Sequence, residues 1–260
     1  MALLGDVLQA SGGLDLWRQM RRFTVHLSIG GVLCARKCGA ARLTDLVAEG
    51  GTQQQAVEIT GFNAGDRRAL YRPDWVAIEG RDGQLLQEQY ASPLRFRDRM
   101  KSTRWNELQL AYYYGYLIWN YVAVPLILGD SDVTTEQIEF NDVHGESWRC
   151  LKVEFPPRLV THSAEQTFYF DREALLRRVD YPAIDDDQTQ IAQVFWEHQR
   201  FSGILVPTLG RISKAGSAVH WSLSHLWLTL RSLMPYSSRM SLTEDMRRQF
   251  DNMRRPSADS

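Results

Sequence analysis

The sequence predicts an α+β fold in which a strongly curved antiparallel sheet, open as a half-barrel, wraps around a long apolar helix. Short runs of alternating apolar and polar residues recur along the chain with turn residues between them, the signature of an antiparallel meander. One stretch from Arg104 to Gly129 departs from this pattern and is aromatic and apolar with few charges. The 260 residues are 44% apolar and 23% charged, enough to bury one substantial core, and all-β chains of this length often form a single domain. The predicted division is an N-terminal helical lead-in at 1–20, a half-barrel at 21–214 with its internal helix at about 104–128, and a C-terminal extension at 215–260.

Leu4, Leu8, Leu14 and Trp17 are spaced for helix on either side of Ser11-Gly12-Gly13, which predicts a short helix, a break and a second helical turn. Residues 22–30 alternate cleanly: Phe23, Val25, Leu27 and Ile29 take one face, Thr24, His26 and Ser28 the other. Further strands are expected at 56–62, 67–71, 75–79 and 84–90, separated by Asn63-Ala64-Gly65-Asp66, Pro73-Asp74 and Arg81-Asp82-Gly83. Trp105, Leu108, Leu110, Tyr112, Tyr116, Ile118, Trp119 and Val122 then mark a buried helix against the concave side of the sheet. It approaches bilayer-spanning length, but Asn106, Glu107, Gln109, Asn120 and Pro125 interrupt it and its aromatics do not band at the ends, so no membrane span is expected. Strands resume at 136–140, 147–155, 165–171 and 175–181, with turns at Asn141 to Gly145 and at Asp171-Arg172-Glu173. Segments 191–201 and 203–213 add two more, and Pro207 places the second at an edge or bulge, where the barrel is expected to open. Residues 221–230 read equally well as a last strand or a short helix. Ser241-Leu-Thr-Glu244 is a capping box opening a basic helix with Arg247, Arg248, Arg254 and Arg255, ended by Pro256.

Composition excludes several classes of function. A net charge of -1 argues against a general nucleic-acid binder, which needs a basic surface to displace counterions from phosphates. Cys34, Cys38 and Cys150 are an odd set that suits a reducing compartment. The N-terminus has neither a basic start nor a sustained apolar run before Asp15, Arg18 and Arg21, so a cytoplasmic location is expected. There is no glycine-rich phosphate loop, no Gly-x-Ser-x-Gly elbow and no His-Glu-x-x-His helix. Cys34-x-x-x-Cys38 lacks a second ligand pair, and His26, His144, His162, His198, His220 and His225 show no metal-ligand spacing, so neither metal nor cofactor is expected.

Several segments together resemble the lipoprotein-carrier (Lol) fold. They are the Leu14-to-Trp17 approach to the first strand, the long helix between two strand groups, the hairpin Phe168-Tyr-Phe-Asp-Arg-Glu-Ala-Leu-Leu-Arg-Arg-Val-Asp-Tyr181, and Phe201-Ser-Gly-Ile-Leu-Val-Pro-Thr208. The resemblance spans residues 14–213 and implies a curved half-barrel closed over an internal helix, with acyl chains or other apolar ligands sheltered in its cavity. Without a recognisable export signal, it does not imply lipoprotein sorting. The chain is also similar to an uncharacterised, non-exported group of that fold sharing Val57-Glu-Ile-Thr-Gly-Phe62 and Pro157-Arg-Leu-Val-Thr-His-Ser-x-Glu-Gln-Thr-Phe-Tyr-Phe-Asp171.

The expected partner is an apolar small molecule in an internal cavity, with two uses for that cavity. The use expected first is a cofactor-independent isomerase, cyclase or dehydratase of a secondary metabolite, working by enclosure and a Tyr or His proton partner, because a chain without an export signal has no obvious need to ferry lipid between membranes. The other is a non-catalytic carrier or sensor of a lipid-like ligand. The catalytic candidates are His162, in the polar run Thr161-His162-Ser163-Ala-Glu165; His198, alternating with Val194, Trp196 and Arg200; and Tyr112 of the aromatic run Tyr112-Tyr113-Tyr114. Tyr112, Tyr116 and Trp119 fall on one helical stripe, which serves ligand enclosure or core packing alike. Tyr116, Trp119, Trp148, Phe168 and Trp196 are the expected ligand-binding residues.

Overall fold

The computed structural model describes residues 2–31, 37, 44–62, 66–101, 104–138, 148–184, 188–215 and, as backbone, 43 and 226–235. The chain opens with α1 (Ala2–Ala10), which buries Leu3 and Val7, and α2 (Leu14–Gln19), which buries Trp17. Gly12 and Gly13 separate them at φ of 117° and 86°, and a Cβ on Gly12 would lie 2.5 Å from the carbonyl oxygen of Gly203, so the break requires glycine there. In β1 (Arg22–Gly30), Phe23, Val25, Leu27 and Ile29 are all buried in the core, as their alternation predicts.

The first meander continues through β2 (Leu43–Gly51), β3 (Val57–Phe62), β4 (Arg67–Arg72), β5 (Trp75–Gly80) and β6 (Leu85–Tyr90). Two helices follow, α3 (Pro93–Met100) and α4 (Glu107–Ala123), then a 3-10 turn at Leu126–Gly129. The second meander comprises β7 (Thr134–Ile138), β8 (Arg149–Glu154), β9 (Glu165–Phe170), β10 (Leu176–Pro182), β11 (Gln190–Phe201), β12 (Ile204–Lys214) and β13 (Leu226–Pro235). All pairs are antiparallel and form one sheet in the order β6-β5-β4-β3-β2-β1-β13-β12-β11-β10-β9-β8-β7. The two meanders meet where β1 pairs with β13, and β6 and β7 are the open edges among the described residues.

One hydrogen-bond pair measures the curvature of this sheet. β2 and β9 are six strand spacings apart, roughly 29 Å on a flat sheet at ~4.8 Å each. Gln55, in the β2–β3 turn, nevertheless hydrogen-bonds Val160, in the β8–β9 connection, at 2.8 Å. The connection carrying Val160 can reach about 17 Å from the sheet, five residues at ~3.4 Å each, so the sheet must bend as well to bring the two meanders together.

Helix α4 lies between them. It starts at a capping box, with Asn106 Oδ1 accepting from the Gln109 N–H and Gln109 Oε1 from the Asn106 N–H, each at 2.9 Å. From Ala111 to Ala123 every residue is buried, so the helix has no solvent face to be amphipathic about. Tyr112 meets Tyr71 of β4 edge-on at 5.2 Å, while Tyr121 meets Phe195 of β11 at 5.7 Å. Gly115 allows the close approach: a Cβ there would sit 2.2 Å from Tyr71 Cγ. The helix spans 17 residues, shorter than the expected 104–128, because Val124 before Pro125 is held in extended backbone. No helix among the described residues is long and apolar enough to cross a membrane.

Other expectations shift. β2 and α3 went unpredicted, and β7 starts two residues before the expected 136. Of the segment 221–230, residues 226–230 are strand and 221–225 lie outside the described residues. Pro207 does not open the barrel: β12 lies between β11 and β13, and β13 pairs with β12 only over Leu209–Ile212, which leaves Pro207 in a stretch paired on one side. The turn at Asn141 to Gly145, the basic helix at 241–255, Cys34 and Cys38 lie outside the described residues.

Candidate functional site

Between β8 and β9 the chain leaves the sheet as a strap, residues 155–164, closed at its base by the Phe155 N–H donating to the Ala164 carbonyl at 2.8 Å. The strap crosses toward the first meander and is clasped there by side chains. Gln55 Nε2 donates to the Val160 carbonyl at 2.8 Å, and Gln55 Oε1 accepts from the Val160 N–H at 2.7 Å. Asn120 of α4 adds a third bond, its Nδ2 donating to the same carbonyl at 2.9 Å and to the Tyr116 carbonyl at 2.8 Å. Arg158 reaches the turn before β7, pairing with Asp130 and, at 2.9 Å, with Asp132.

Beneath the strap is a small cavity of about 30 Å³ between α4 and β9–β12. Leu117, Phe155, Phe168 and Phe195 give it apolar walls. Asn120, Tyr121, Thr161, His162, Gln166 and Gln193 contribute polar groups, and among the described residues no charged side chain lines it. Gln166 Nε2 is tied to the Ser163 carbonyl at 2.9 Å, and the Tyr181 hydroxyl donates to Gln193 Oε1 at 3.4 Å.

His162 is buried, its ring stacked on Tyr181 with centroids 4.3 Å apart and planes within 5°, and met edge-on by Tyr116 at 5.3 Å. The Tyr116 hydroxyl lies 3.5 Å from His162 Nδ1. Burial among these rings pushes the imidazole pKa down to about 3, so His162 is neutral at physiological pH. Burial also raises the Tyr116, Tyr121 and Tyr181 hydroxyls far above their usual range. The Tyr121 hydroxyl is buried with no hydrogen-bond partner among the described residues.

Of the residues predicted from sequence, His162 and Phe168 line the cavity and Tyr116 touches it through His162. The others lie elsewhere. Tyr112 stacks on Phe96 of α3 at 3.9 Å and donates its hydroxyl to the Pro73 carbonyl at 3.2 Å. Trp119 donates its indole N–H to the Gly51 carbonyl at 2.7 Å. Trp148 packs on Tyr169, which alternates with the cavity residue Phe168 and so takes the opposite face of the sheet. By the same alternation Phe195 faces inward, and Trp196 faces away from the cavity, where Arg211 lies over its ring. His198 follows Glu197, which takes a φ of 54° within β11, and sits off the cavity against the Leu176 backbone. Burial, then the Arg177 charge, lowers its imidazole. The three catalytic candidates therefore occupy three separate places.

Sequence reasoning missed Asn120, Tyr121, Gln166, Gln193 and the clasp residue Gln55. A signal existed for Asn120, an amide in the apolar second half of a helix, and for Gln166 and Gln193, each two residues before a phenylalanine on the same strand face; Gln55 had none.

No family model and no curated protein matches the sequence. Solved structures match the fold over nearly the whole chain, two of them with a TM-score above 0.5. A DUF1329 family protein from Desulfovibrio piger superposes with a TM-score of 0.53 at 14% identity, covering 92% of this chain and 94% of that one. A LolA superfamily protein from Nitrosomonas europaea gives the same TM-score, 0.53, at 10% identity over 90% of this chain and 93% of that one. The fold is LolA-like. At such identities the likeness establishes the LolA-like fold alone, and the use of the cavity must be argued from its own residues.

Proposed function

We propose that the protein binds a hydrophobic small molecule between α4 and the second meander, as a non-catalytic carrier or sensor of a lipid-like ligand. The observation that carries this reading is the wall beneath the strap. There, aromatic and aliphatic side chains face a few uncharged polar groups, and the cover is held by side-chain hydrogen bonds rather than by strand pairing. The cavity of about 30 Å³ has room for one or two waters. Pockets for drug-sized ligands measure on the order of 300–1,000 Å³, so binding goes with release of the strap and rearrangement of the rings under it. The LolA-like fold agrees with this use, since its resemblance to lipoprotein carriers implies a sheltered apolar ligand.

The alternative, a cofactor-independent isomerase or cyclase of a secondary metabolite, finds less support. A general base works best with a pKa near ambient pH, and His162 is held near 3. The Tyr112 hydroxyl is engaged by Pro73, and His198 lies off the cavity.

Native mass spectrometry of the protein purified from its own source, followed by organic extraction, tests the proposal. The expected result is one apolar compound in stoichiometric amount. Protein that carries nothing and takes up no neutral apolar dye such as Nile red, even when the strap is loosened by Gln55→Ala, would refute it.

A further inference from the structure

We infer that the ligand's polar end is uncharged, an oxygen that accepts a hydrogen bond from Tyr121, and that the site discriminates against carboxylates and phosphates. This inference rests on the ligand-binding reading above and names the chemical class that reading leaves open. Three observations carry it. Among the described residues the cavity wall has no Lys or Arg to neutralise an anion, and an ionised group buried without a partner is strongly disfavoured. Its imidazole, His162, is enclosed by Tyr116 and Tyr181 and stays neutral, so it supplies no positive charge either.

The third observation is the hydrogen-bonding capacity left over. Both amide hydrogens of Asn120 are engaged by the Tyr116 and Val160 carbonyls, which leaves Oδ1, with no bond among the described residues, as its remaining polar atom. The Tyr121 hydroxyl, borne on a ring that lines the cavity, is buried and unpartnered. Native proteins seldom leave a buried hydroxyl unpaired, and an unpaired one is the group a ligand oxygen can satisfy. Tyr121 can donate to an alcohol, ester, ketone or amide oxygen. Asn120 Oδ1 only accepts, so it favours a ligand that also carries an O–H or N–H and repels an anionic oxygen.

The test compares three C12 ligands, dodecanol, methyl laurate and laurate, displacing Nile red from the full-length protein at about pH 8, where the carboxylic acid is ionised. The expected result is that dodecanol and the ester displace the dye at concentrations at least tenfold below laurate. In Tyr121→Phe, which keeps the ring and removes an unpaired hydroxyl and so should fold at least as well, dodecanol should lose five- to tenfold in affinity. Laurate binding as tightly as dodecanol, or Tyr121→Phe leaving dodecanol affinity intact, would overturn the inference while leaving a hydrophobic-ligand protein. Failure of the dye and all three ligands to bind would overturn the parent reading and this inference with it.

Discussion

Replacing Gln55 with alanine should release the strap without disturbing the sheet. The side chain is nearly fully buried and makes two hydrogen bonds to Val160, one in each direction, at 2.8 and 2.7 Å. Each is worth about 1 kcal/mol net. After truncation the Val160 carbonyl keeps Asn120, but the Val160 N–H loses its partner. The strap should therefore open more readily by about 2 kcal/mol, roughly a 30-fold larger open population, since 1.4 kcal/mol is a factor of ten. Native-state hydrogen exchange reads this directly, because local opening exposes strap amides without global unfolding. The Val160 and His162 amides should exchange roughly 30-fold faster in Gln55→Ala, with those of Val25 and Leu27 in β1 unchanged as the control. If the protein carries a ligand, its dissociation should accelerate by a similar factor. Unchanged exchange at Val160 would show that Gln55 does not hold the strap. Equal acceleration across β1 would show that the strap does not open as a separate unit.

Two more perturbations act at the strap and one at the packing of α4 on the first meander. His162 binds a proton in the unfolded chain below about pH 6.5 but resists it in the fold down to about 3. The stability this gives is fully present above the unfolded value and is lost as pH falls, at about 1.4 kcal/mol per unit. Urea denaturation between about pH 6.5 and 4 should therefore show a shallower acid slope in His162→Phe than in the parent, by that amount. Burial works to raise the Asp130 carboxyl, but hydrogen bonds from Arg158 and from the Asp132 N–H outweigh it and hold it below 3.8. Asp130 thus adds stability above its unfolded pKa that disappears as pH falls through its lower folded value. NMR titration in Arg158→Gln should move it up toward 3.8. Because Arg158 is about half exposed, the accompanying loss of stability should stay below about 1 kcal/mol. Gly115→Ala drives a methyl into Tyr71 Cβ and Cγ, atoms that cannot swing aside, and should cost about 1–3 kcal/mol in denaturation experiments.

Much of the fold was legible because it is written locally. The alternation of Phe23 to Ile29, the break at Gly12-Gly13 and the Phe168–Tyr181 hairpin depend on residues near in sequence, and the structure reproduces each. β2 was obscured by Gly50 and Gly51 and by Asp45 at a φ of 56°, which blunt the alternation. α3 was hidden by its arginines, although Ser92-Pro93 is a helix-start signal: Ser92 caps it, and only Phe96 and Met100 are buried. The site was harder to read because it depends on distant partners. Thr161-His162-Ser163 looks like a solvated loop until Gln55, 105 residues from Val160, draws it inward. Nor does alternation along β11 say which face is wet: it groups Trp196 with Val194, but only the packing of Phe195 against Tyr121 shows that this group lies outside.

The seam between β1 and β13 bears on how the chain comes off the ribosome. β1 gains its β2 partner almost at once, but its other neighbour is β13, whose residues run from Leu226 to Pro235. At synthesis rates of about 5–20 residues per second, β1 waits on the order of 10–40 s with one edge unpaired. By the end of that interval, once β12 has been made, the nascent protein consists of two separate meanders with four open flanks, β6, β1, β12 and β7, each a template for pairing with another chain. Closing the seam leaves two flanks, so the last strand both completes the sheet and ends the period in which the chain is most exposed to misassembly.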